Sequence, residues 1–248
     1  MSHRVVVAQN IYDDEGFFDR YAQLPRSRDG LAAAPEWPAL QAMLPPLRGL
    51  RVLDLGCGYG WFCRWAADEG AAAVVGVDLS ERMLARAAEF GVPPGAAYER
   101  ADLEHLDLGG RSFDVVYSSL TLHYVEDLAR LVGTVRGALP AGGSFVFSVE
   151  HPVFTAPPNP AFVEGPGGAV WPLAGYAAEG PRVTNWMADG VVKHHRRLDT
   201  YVRLLRAAGF ALADLVEWTP SAADLATHPD WGDEVHRPAF LLVGATAL

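Results

Sequence analysis

The sequence predicts an α/β fold in which a doubly wound, mostly parallel sheet carries helices on both faces. Three observations favour this class. Apolar segments of strand length alternate with segments of helical spacing, these apolar segments lack the polar alternation of half-exposed strands, and a glycine-rich turn follows the first of them. Alternation of this kind builds βαβ units, because parallel strands need crossover helices to connect them.

The elements of the core, residues 49–150, follow in order. Apolar segments rich in Val, Leu and Phe predict strands at residues 51–55, 72–78, 113–119 and 143–149. Helical spacing predicts helices at residues 61–68, 80–90 and 128–139. Ser80 suits the N-cap of the second helix, Glu81 its first turn, and Gly91 the position just past its end.

The segments outside this core differ in composition. Residues 1–48, which we name the lid, combine aromatic side chains with five prolines and predict short helices packed over the core. Residues 151–197, which we name the insertion, begin with a stretch rich in Pro and Gly that predicts an irregular loop, and they end in a hairpin. The C-terminal part, residues 198–248, completes a single domain with a helix and two strands at residues 198–208, 210–218 and 238–248.

Charge and cysteine content exclude several functional classes. The net charge of −10 has the wrong sign for a protein that binds phosphate backbones, so no nucleic-acid partner is expected. No apolar run reaches the length of a membrane span and the N-terminus lacks the features of a signal peptide, so we expect a cytoplasmic protein without membrane contact. Cys57 and Cys63 are expected to be reduced thiols, and no metal site is indicated. We expect a monomer or a homodimer.

A glycine-rich turn marks the expected ligand site. The first predicted strand runs directly into Gly56, Gly58 and Gly60 and then into a helix. Ligands of doubly wound folds bind at the carboxyl ends of the strands, where missing Cβ atoms let a ligand lie against bare backbone. The second strand ends at Asp78, whose carboxylate can accept hydrogen bonds from two ribose hydroxyls. Together, the turn and the acid indicate a nucleoside-containing ligand.

Two cofactors share this arrangement. Dinucleotides use the pattern G-x-G-x-x-G, with a pyrophosphate at the helix N-terminus, whereas this chain has G-x-G-x-G. Asp54 lies two residues before the first glycine, where its carboxylate would repel a pyrophosphate. S-adenosylmethionine (SAM) carries an ammonium and a sulfonium instead, and a nearby carboxylate favours both charges. Asp54 therefore favours SAM over a dinucleotide.

Five segments in order resemble the motifs of class I SAM-dependent methyltransferases. They are VLDLGCGYG (52–60), VVGVDLS (74–80), RADLEHLDL (100–108), SFDVVYSSLTLHYVEDL (112–128) and LPAGGSFVFS (139–148). Within that superfamily the chain is similar to the small-molecule branch that includes the ubiquinone and menaquinone biosynthesis methyltransferases. The resemblance implies a Rossmann-like, seven-stranded sheet, SAM as the methyl donor, and S-adenosylhomocysteine (SAH) as its product.

The resemblance also implies roles for individual residues. The implied cofactor-binding residues are Asp54, Gly56, Cys57, Gly58, Gly60, Asp78, Leu79, Asp102, Leu103, Ser118 and Ser119. The glycine turn and Asp54 are expected at the methionine moiety, and Asp78 at the ribose. Asp102 and the leucines are expected at the adenine, although Asp102 taken alone could be a surface acid. The two serines are expected to present backbone groups to the methionine end.

Catalytic residues are expected at the carboxyl ends of the same strands, because an in-line methyl transfer needs the acceptor beside the methyl group. Glu150 and His151 directly follow an apolar strand, and they are predicted to act as a base and its orienting partner. The alternative is an exposed pair without chemistry. His123 follows another core strand, where it either takes part in catalysis or packs near the cofactor.

Aromatic side chains of the lid and insertion suit a flat or aromatic acceptor. The predicted substrate-binding residues are Tyr12, Phe18, Tyr21, Tyr124, Trp186 and His195. Each aromatic taken singly could instead belong to the core. The charged end of the hairpin could orient an anionic acceptor, or it could be solvated; it consists of Lys193, His194, His195, Arg196 and Arg197.

Three functions fit these observations. The preferred one is a SAM-dependent methyltransferase that acts on a small metabolite. An NAD-linked oxidoreductase would share the nucleoside-binding turn, and a SAM-binding module would share the cofactor site without catalysis. Titration with SAM and with NAD distinguishes the first two functions, and turnover of a methyl acceptor distinguishes the third.

Overall fold

The centre of the molecule is a seven-stranded sheet. The computed structural model describes residues 9–248, so the first eight residues of the lid lie outside the described part of the chain. The strands of the sheet are β1 (Arg51–Leu55), β2 (Ala73–Asp78), β3 (Ala96–Arg100), β4 (Val115–Ser119), β5 (Ser144–Glu150), β10 (Phe210–Trp218) and β11 (Phe240–Ala247). Their order is β10-β11-β5-β4-β1-β2-β3, and β11 alone runs opposite to its neighbours within the sheet. The predicted mostly parallel α/β sheet is confirmed.

Helices cover both faces of this sheet. They are α1 (Glu15–Ala22), α2 (Pro25–Asp29), α3 (Trp37–Met43), α4 (Trp61–Asp68), α5 (Glu81–Glu89), α6 (Leu128–Ala138), α7 (Pro152–Thr155), α8 (Leu198–Ala207) and α9 (Ala222–Thr227). Apolar side chains of α6 and α8 pack on one face, and those of α3 and α4 on the other. The Ser80 hydroxyl accepts the Met83 N–H at 3.1 Å, which confirms the predicted N-cap of α5. No helix within residues 9–248 has both the length and the hydropathy needed to cross a bilayer.

The strand order places a crevice at the centre of the sheet. From β1 the chain builds β2 and β3 to one side, and it then returns to place β4 against the other side of β1. Such a reversal separates the loops that leave β1 and β4 and opens a crevice at their carboxyl ends. The glycine-rich turn after β1 lies at this position.

The edge strand β3 was not among the predicted apolar segments. It has the sequence AAYER, and its residues are partly buried or exposed. An edge strand needs less apolar character than a central one, because it has a neighbouring strand on only one side and is more exposed to solvent. Strand prediction from apolar runs therefore fails at this edge.

The insertion has more regular structure than predicted. Its Pro- and Gly-rich part contains α7 and a small antiparallel hairpin of β6 (Val163–Gly165) and β7 (Gly168–Val170). The expectation of a wholly irregular loop was therefore wrong. The second part is an antiparallel hairpin of β8 (Gly180–Thr184) and β9 (Val191–His195), as predicted. This hairpin forms its own two-stranded sheet beside the crevice.

Candidate active site

A cavity of about 740 Å³ lies at the carboxyl ends of β1, β2, β4 and β5, under the described part of the lid. Its volume is typical of pockets that hold a small ligand. Most of the expected cofactor residues line it, namely Asp54, Gly56, Cys57, Gly58, Asp78, Leu79, Asp102, Leu103 and Ser119. Gly60 and Ser118 do not line it. Residues that are far apart in the sequence thus share one wall.

The three glycines of the turn have different roles. All have positive φ angles, 75° at Gly56, 51° at Gly58 and 69° at Gly60, which L side chains rarely adopt. A Cβ atom on Gly60 would overlap the Tyr98 hydroxyl, and one on Gly56 would overlap Thr121. A Cβ atom on Gly58 would meet no described atom within 4 Å. Gly58 is therefore the position where the turn leaves backbone bare at the cavity wall.

Asp78 joins the end of β2 to this turn. Its Oδ2 accepts the Gly58 N–H and its Oδ1 accepts the Ser80 N–H, both at 2.9 Å. Each carboxylate oxygen keeps a second lone pair for a ligand donor. Burial raises the pKa of Asp78, and the backbone hydrogen bonds oppose that rise. The carboxylate is thereby fixed in position beside the bare backbone of Gly58.

Asp54 is a buried acid at the base of the cavity. Its Oδ2 accepts a hydrogen bond from the Cys63 thiol at 3.3 Å. Burial raises the pKa of Asp54 to about 7, although the Cys63 hydrogen bond lowers it. A carboxyl group with this pKa is partly protonated at neutral pH, and a cationic ligand group would favour its ionised form.

An ion pair in the lid adds two residues that the sequence did not reveal. Arg26 of α2 lines the cavity, and its Nη2 donates to the Glu36 carboxylate oxygens at 3.0 and 3.1 Å. Both charges influence the pKa of Tyr117, which pairs with Asp54 across strands β1 and β4. The ion pair therefore lies at the Asp54 end of the cavity. The lid sequence holds other arginines, and nothing in its pattern distinguishes Arg26 from them. The carboxylate of the methionine moiety of SAM calls for a cation in the site, and this requirement was the available signal for an arginine.

Two of the expected cofactor residues also have structural roles. Asp102 caps the short 3-10 helix Leu103–His105, because its Oδ1 accepts the Glu104 N–H at 2.9 Å. Ser118 donates its hydroxyl hydrogen to the Leu55 carbonyl at 2.7 Å and thereby ties β4 to the end of β1. Asp102 keeps its place in the cavity wall, whereas the Ser118 hydroxyl faces the sheet.

The lid is attached beside the predicted ribose-binding acid. Asp13 accepts hydrogen bonds from the Ser80 hydroxyl at 2.5 Å and from the Arg82 N–H at 3.2 Å. These donors belong to the first turn of α5, which begins directly after the loop that follows Asp78. An acid at a helix N-terminus satisfies free N–H groups and favours the helix dipole. The lid and the strand end at Asp78 therefore share one anchoring point.

Aromatic side chains line the part of the cavity away from the turn. Tyr12 contacts Tyr21 and Tyr124 edge to face at 5.3 and 6.1 Å, and the hydroxyls of Tyr12 and Tyr124 lie 3.4 Å apart. Trp186 of the insertion completes this wall. Phe18 does not line the cavity, and it lies instead in a separate small pocket beside Arg82 and Arg86 of α5. Its predicted contact with substrate is therefore not supported by its position.

Glu150 and Lys193 form a buried ion pair at this end. The Lys193 Nζ lies 2.5 Å from the Glu150 Oε1, and the two side chains are 4% and 14% exposed. Glu150 lines the cavity, and its Oε2 is buried without a hydrogen-bond partner within residues 9–248. Lys193 is the single lysine of the chain. The sequence indicated it only as part of the charged hairpin end, and its burial and its pairing with Glu150 were not predicted.

His123 is held as a neutral hydrogen-bond donor. Its Nδ1 accepts the Glu150 N–H at 3.3 Å, so the ring proton is on Nε2. Burial, together with the charges of Lys193 and Arg196, holds the pKa of His123 well below its usual value. A neutral imidazole whose basic nitrogen is already engaged is a poor base. His123 does line the cavity, as predicted.

His151 does not line the cavity. Its Nδ1 accepts the Val153 N–H at 3.0 Å, which caps α7, and its Nε2 lies 3.0 Å from the Glu217 carboxylate. Burial lowers the pKa of His151 to about 4 despite the opposing effect of Glu217. Glu150 is the last residue of β5 and faces the lid side, whereas the chain turns at His151 into α7. Both ring nitrogens are engaged by the protein, so the expected role as a base lacks geometric support.

His195 is also engaged by the protein. It is fully buried, so the alternative of a solvated hairpin end is wrong. Its Nδ1 lies 2.9 Å from the Thr155 hydroxyl, and its Nε2 lies 2.9 Å from the Tyr176 carbonyl. These contacts fasten β9 to the rest of the insertion. His194, on the opposite face of the strand, lines the cavity in its place.

Cysteines and metal ligands give no further site. Cys57 and Cys63 are buried free thiols. Within the described residues, no group of three or more His, Cys, Asp or Glu side chains could hold a metal ion.

Comparisons with known proteins agree with this geometry. Residues 53–147 match the family described as methyltransferase domain. An S-adenosylmethionine dependent methyltransferase from Mesorhizobium loti, known from a crystal structure, is 54% identical, with a TM-score of 0.83 over 88% of this chain and 100% of that chain. A malonyl-[acyl-carrier protein] O-methyltransferase of Pectobacterium atrosepticum is 32% identical over 59% of this chain and 53% of its own length. A ubiquinone biosynthesis O-methyltransferase of Sinorhizobium medicae is 30% identical over 68% and 63%.

Proposed function

The chain belongs to the class I SAM-dependent methyltransferases, and we propose that it transfers the methyl group in line to a small, flat metabolite. The observation that carries this proposal is the continuity of one cavity from Gly58 and Asp78 at one end to Glu150 and Tyr124 at the other. An in-line transfer needs donor and acceptor in a single enclosed space, so that their reacting atoms align. We name the first part the donor end and the second part the acceptor end.

The chemistry of the donor end suits SAM. The bare backbone at Gly58 leaves room that a Cβ atom would fill, and Asp78 offers lone pairs to ribose hydroxyls. Asp54 suits the ammonium of the methionine moiety, because a nearby cation favours its ionised form. Arg26 suits the carboxylate of that moiety, because Glu36 binds only its Nη2 and the side chain lines the cavity. Asp102, Leu79 and Leu103 line the same cavity and remain to contact the adenine.

When SAM is bound, its sulfonium supplies an activated methyl group, and the chain supplies position and exclusion of water. Proximity and orientation alone can lower a barrier by roughly 7 to 11 kcal/mol. The lid, fastened through Asp13 at the donor end, covers the cavity with Tyr12 and Tyr21. A closed, aromatic acceptor end would exclude water and hold a flat ring against the methyl group.

The proposal is tested by binding and turnover together. Calorimetric titration should show SAM and SAH binding to the protein, and NAD should not bind. Incubation with tritiated SAM and a pool of small phenols, alcohols and amines should release SAH and give a labelled product. Tight binding of NAD would favour the oxidoreductase instead. SAM binding without any transfer would favour the non-catalytic module.

A further inference from the structure

The two carboxylate oxygens of Glu150 have different surroundings. Oε1 is engaged by Lys193 at 2.5 Å, whereas Oε2 is buried and accepts no hydrogen bond within residues 9–248. A buried acceptor without a donor is destabilising, so its presence in a folded protein needs an explanation. Glu150 lines the acceptor end, and a bound acceptor that carries an O–H or N–H group would supply the missing donor.

The cations near Glu150 are already engaged by groups of the protein. Of the arginines that line the cavity, Arg26 belongs to the donor end, and Arg237 pairs with Glu234 at 2.8 Å. Arg196 does not line the cavity, and it donates to the carbonyls of Val125 and Glu126. Lys193 is neutralised by Glu150. A carboxylate beside Glu150 Oε2 would bring a second anion to a buried carboxylate oxygen and would have no proton to donate to it, and burying an unpaired charge is costly.

The histidines at the acceptor end add polarity without charge. His123 presents a neutral imidazole whose Nε2 carries the proton, because its Nδ1 accepts the Glu150 N–H. His194 also lines the cavity, and burial and Arg196 lower its pKa. The acceptor end thus offers one carboxylate oxygen that needs a donor and neutral groups that can donate. An uncharged hydroxyl or amine can donate to this oxygen and accept from these groups, whereas a carboxylate has no proton to donate to the oxygen.

We propose that the methyl acceptor is an uncharged molecule whose reacting O–H or N–H donates to Glu150 Oε2, with Lys193 as the positioning residue. This inference rests on the proposed function. In the transfer, the acceptor oxygen or nitrogen forms a bond to the methyl carbon as the carbon–sulfur bond breaks, with its electron pair remaining on sulfur in SAH. The acceptor proton moves to Glu150 Oε2 and is later released to water. Lys193 holds Oε1, so that Oε2 is the oxygen presented.

The single lysine makes this inference testable without turnover. Protein labelled with ¹³C at lysine Cε gives one lysine signal in solution NMR, and it reports on the Glu150 pair. The SAH-saturated protein would be titrated with catechol, aniline and benzoate, which share a ring but differ in the group presented. Catechol and aniline should shift the signal, and benzoate at the same concentration should not. An equal shift with benzoate, or no shift with either of the other two, would overturn the proposal. A protein that does not bind SAH would overturn the proposed function instead.

Turnover of variants completes the test. Glu150→Gln should lower kcat by about 100-fold or more, the usual contribution of a general base, with SAM affinity changed less than twofold. Lys193→Met should lower kcat by tenfold or more without raising the KM for SAM, and Lys193→Arg should restore much of it. Glu217→Gln is the matched control, because Glu217 contacts His151 outside the cavity. Wild-type turnover in both Glu150→Gln and Lys193→Met would contradict the proposal, and melting temperatures would identify a variant that fails to fold.

Discussion

Asp13 of the lid accepts a hydrogen bond from the hydroxyl of Ser80 at 2.5 Å, two residues beyond the acid expected to bind the ribose. This contact makes the position of the lid dependent on the start of α5. A ligand bound at Asp78 should order the same loop, and lid closure and donor binding should then reinforce one another. The relationship links the N-terminal segment, which the family motifs do not cover, to the most recognisable part of the site.

Loss of this contact should loosen the lid. Asp13→Ala removes the acceptor of three donors, the Ser80 hydroxyl, the Arg82 N–H and the Asn10 side-chain amide, and leaving the buried Ser80 hydroxyl without its partner costs about 1 to 3 kcal/mol. Hydrogen exchange of residues 11–22 should become roughly tenfold faster, and SAM binding should slow it less than in the wild type. Asp19→Ala is the control, because Asp19 is exposed on α1. Identical exchange in both variants, with and without SAM, would assign the segment to simple packing.

SAM affinity should rise with pH between about 5.5 and 7. Burial raises the pKa of Asp54 to about 7, so the free protein binds a proton there that the donor's ammonium displaces. The sign follows from this displacement, because a lower pH favours the protonated, ligand-free form. The donor's own amino group, with a pKa of about 8, sets the upper limit of the window. Calorimetry in two buffers of different ionisation enthalpy should detect proton release, and Asp54→Asn should abolish it. Proton uptake on binding would contradict this prediction.

Two glycine variants should separate folding from ligand binding. Gly60→Ala places a methyl group against Tyr98, so it should lower the melting temperature markedly. Gly58→Val places its side chain at the cavity wall, so it should weaken SAM binding by tenfold or more. Both positions have positive φ, and backbone strain is therefore common to the two variants. Equal loss of stability in both, with equal SAM affinity, would contradict the assignment of Gly58 to the ligand.

His151→Ala should affect stability more than chemistry. The imidazole caps α7 and contacts Glu217 outside the cavity, so its loss should cost about 0.5 to 2 kcal/mol of folding free energy. Turnover of the folded fraction should fall by less than fivefold. Chemical denaturation and steady-state kinetics on one preparation measure both quantities. If turnover instead fell by two orders of magnitude with stability unchanged, His151 would return to the role of base expected from the sequence.

The sequence predicted the local elements well because their signals are local. The strand, the glycine turn and α4 follow one another in 18 residues, Arg51–Asp68, and the helix bounds matched. The wall formed by Asp54, Asp78 and Asp102 followed from the family motifs, and the structure places all three at one cavity. These residues all lie at or directly after the ends of parallel strands, where position in the chain determines position in space.

The acceptor end was less predictable, because side-chain direction there depends on register between distant strands. Glu150 pairs with Phe240 of β11, and this register fixes it as the last residue of β5 on the lid side. His151 lies one residue later, where the chain already bends into α7. Lys193 approaches from a hairpin more than 40 residues away, and composition gave no indication that a charged strand would be buried. Long-range pairing of this kind is not visible in a single sequence.

The most direct test of the central claim, that SAM binds with its ribose on Asp78, is the SAM affinity of Asp78→Ala measured by calorimetry. Hydrogen bonds to a charged group contribute about 1.5 to 3 kcal/mol, so the variant should bind SAM roughly 10- to 100-fold more weakly than the wild type. Asp68→Ala, an exposed acid at the end of α4, should bind SAM as tightly as the wild type. Unchanged affinity of a folded Asp78→Ala protein would contradict the assignment of the donor end.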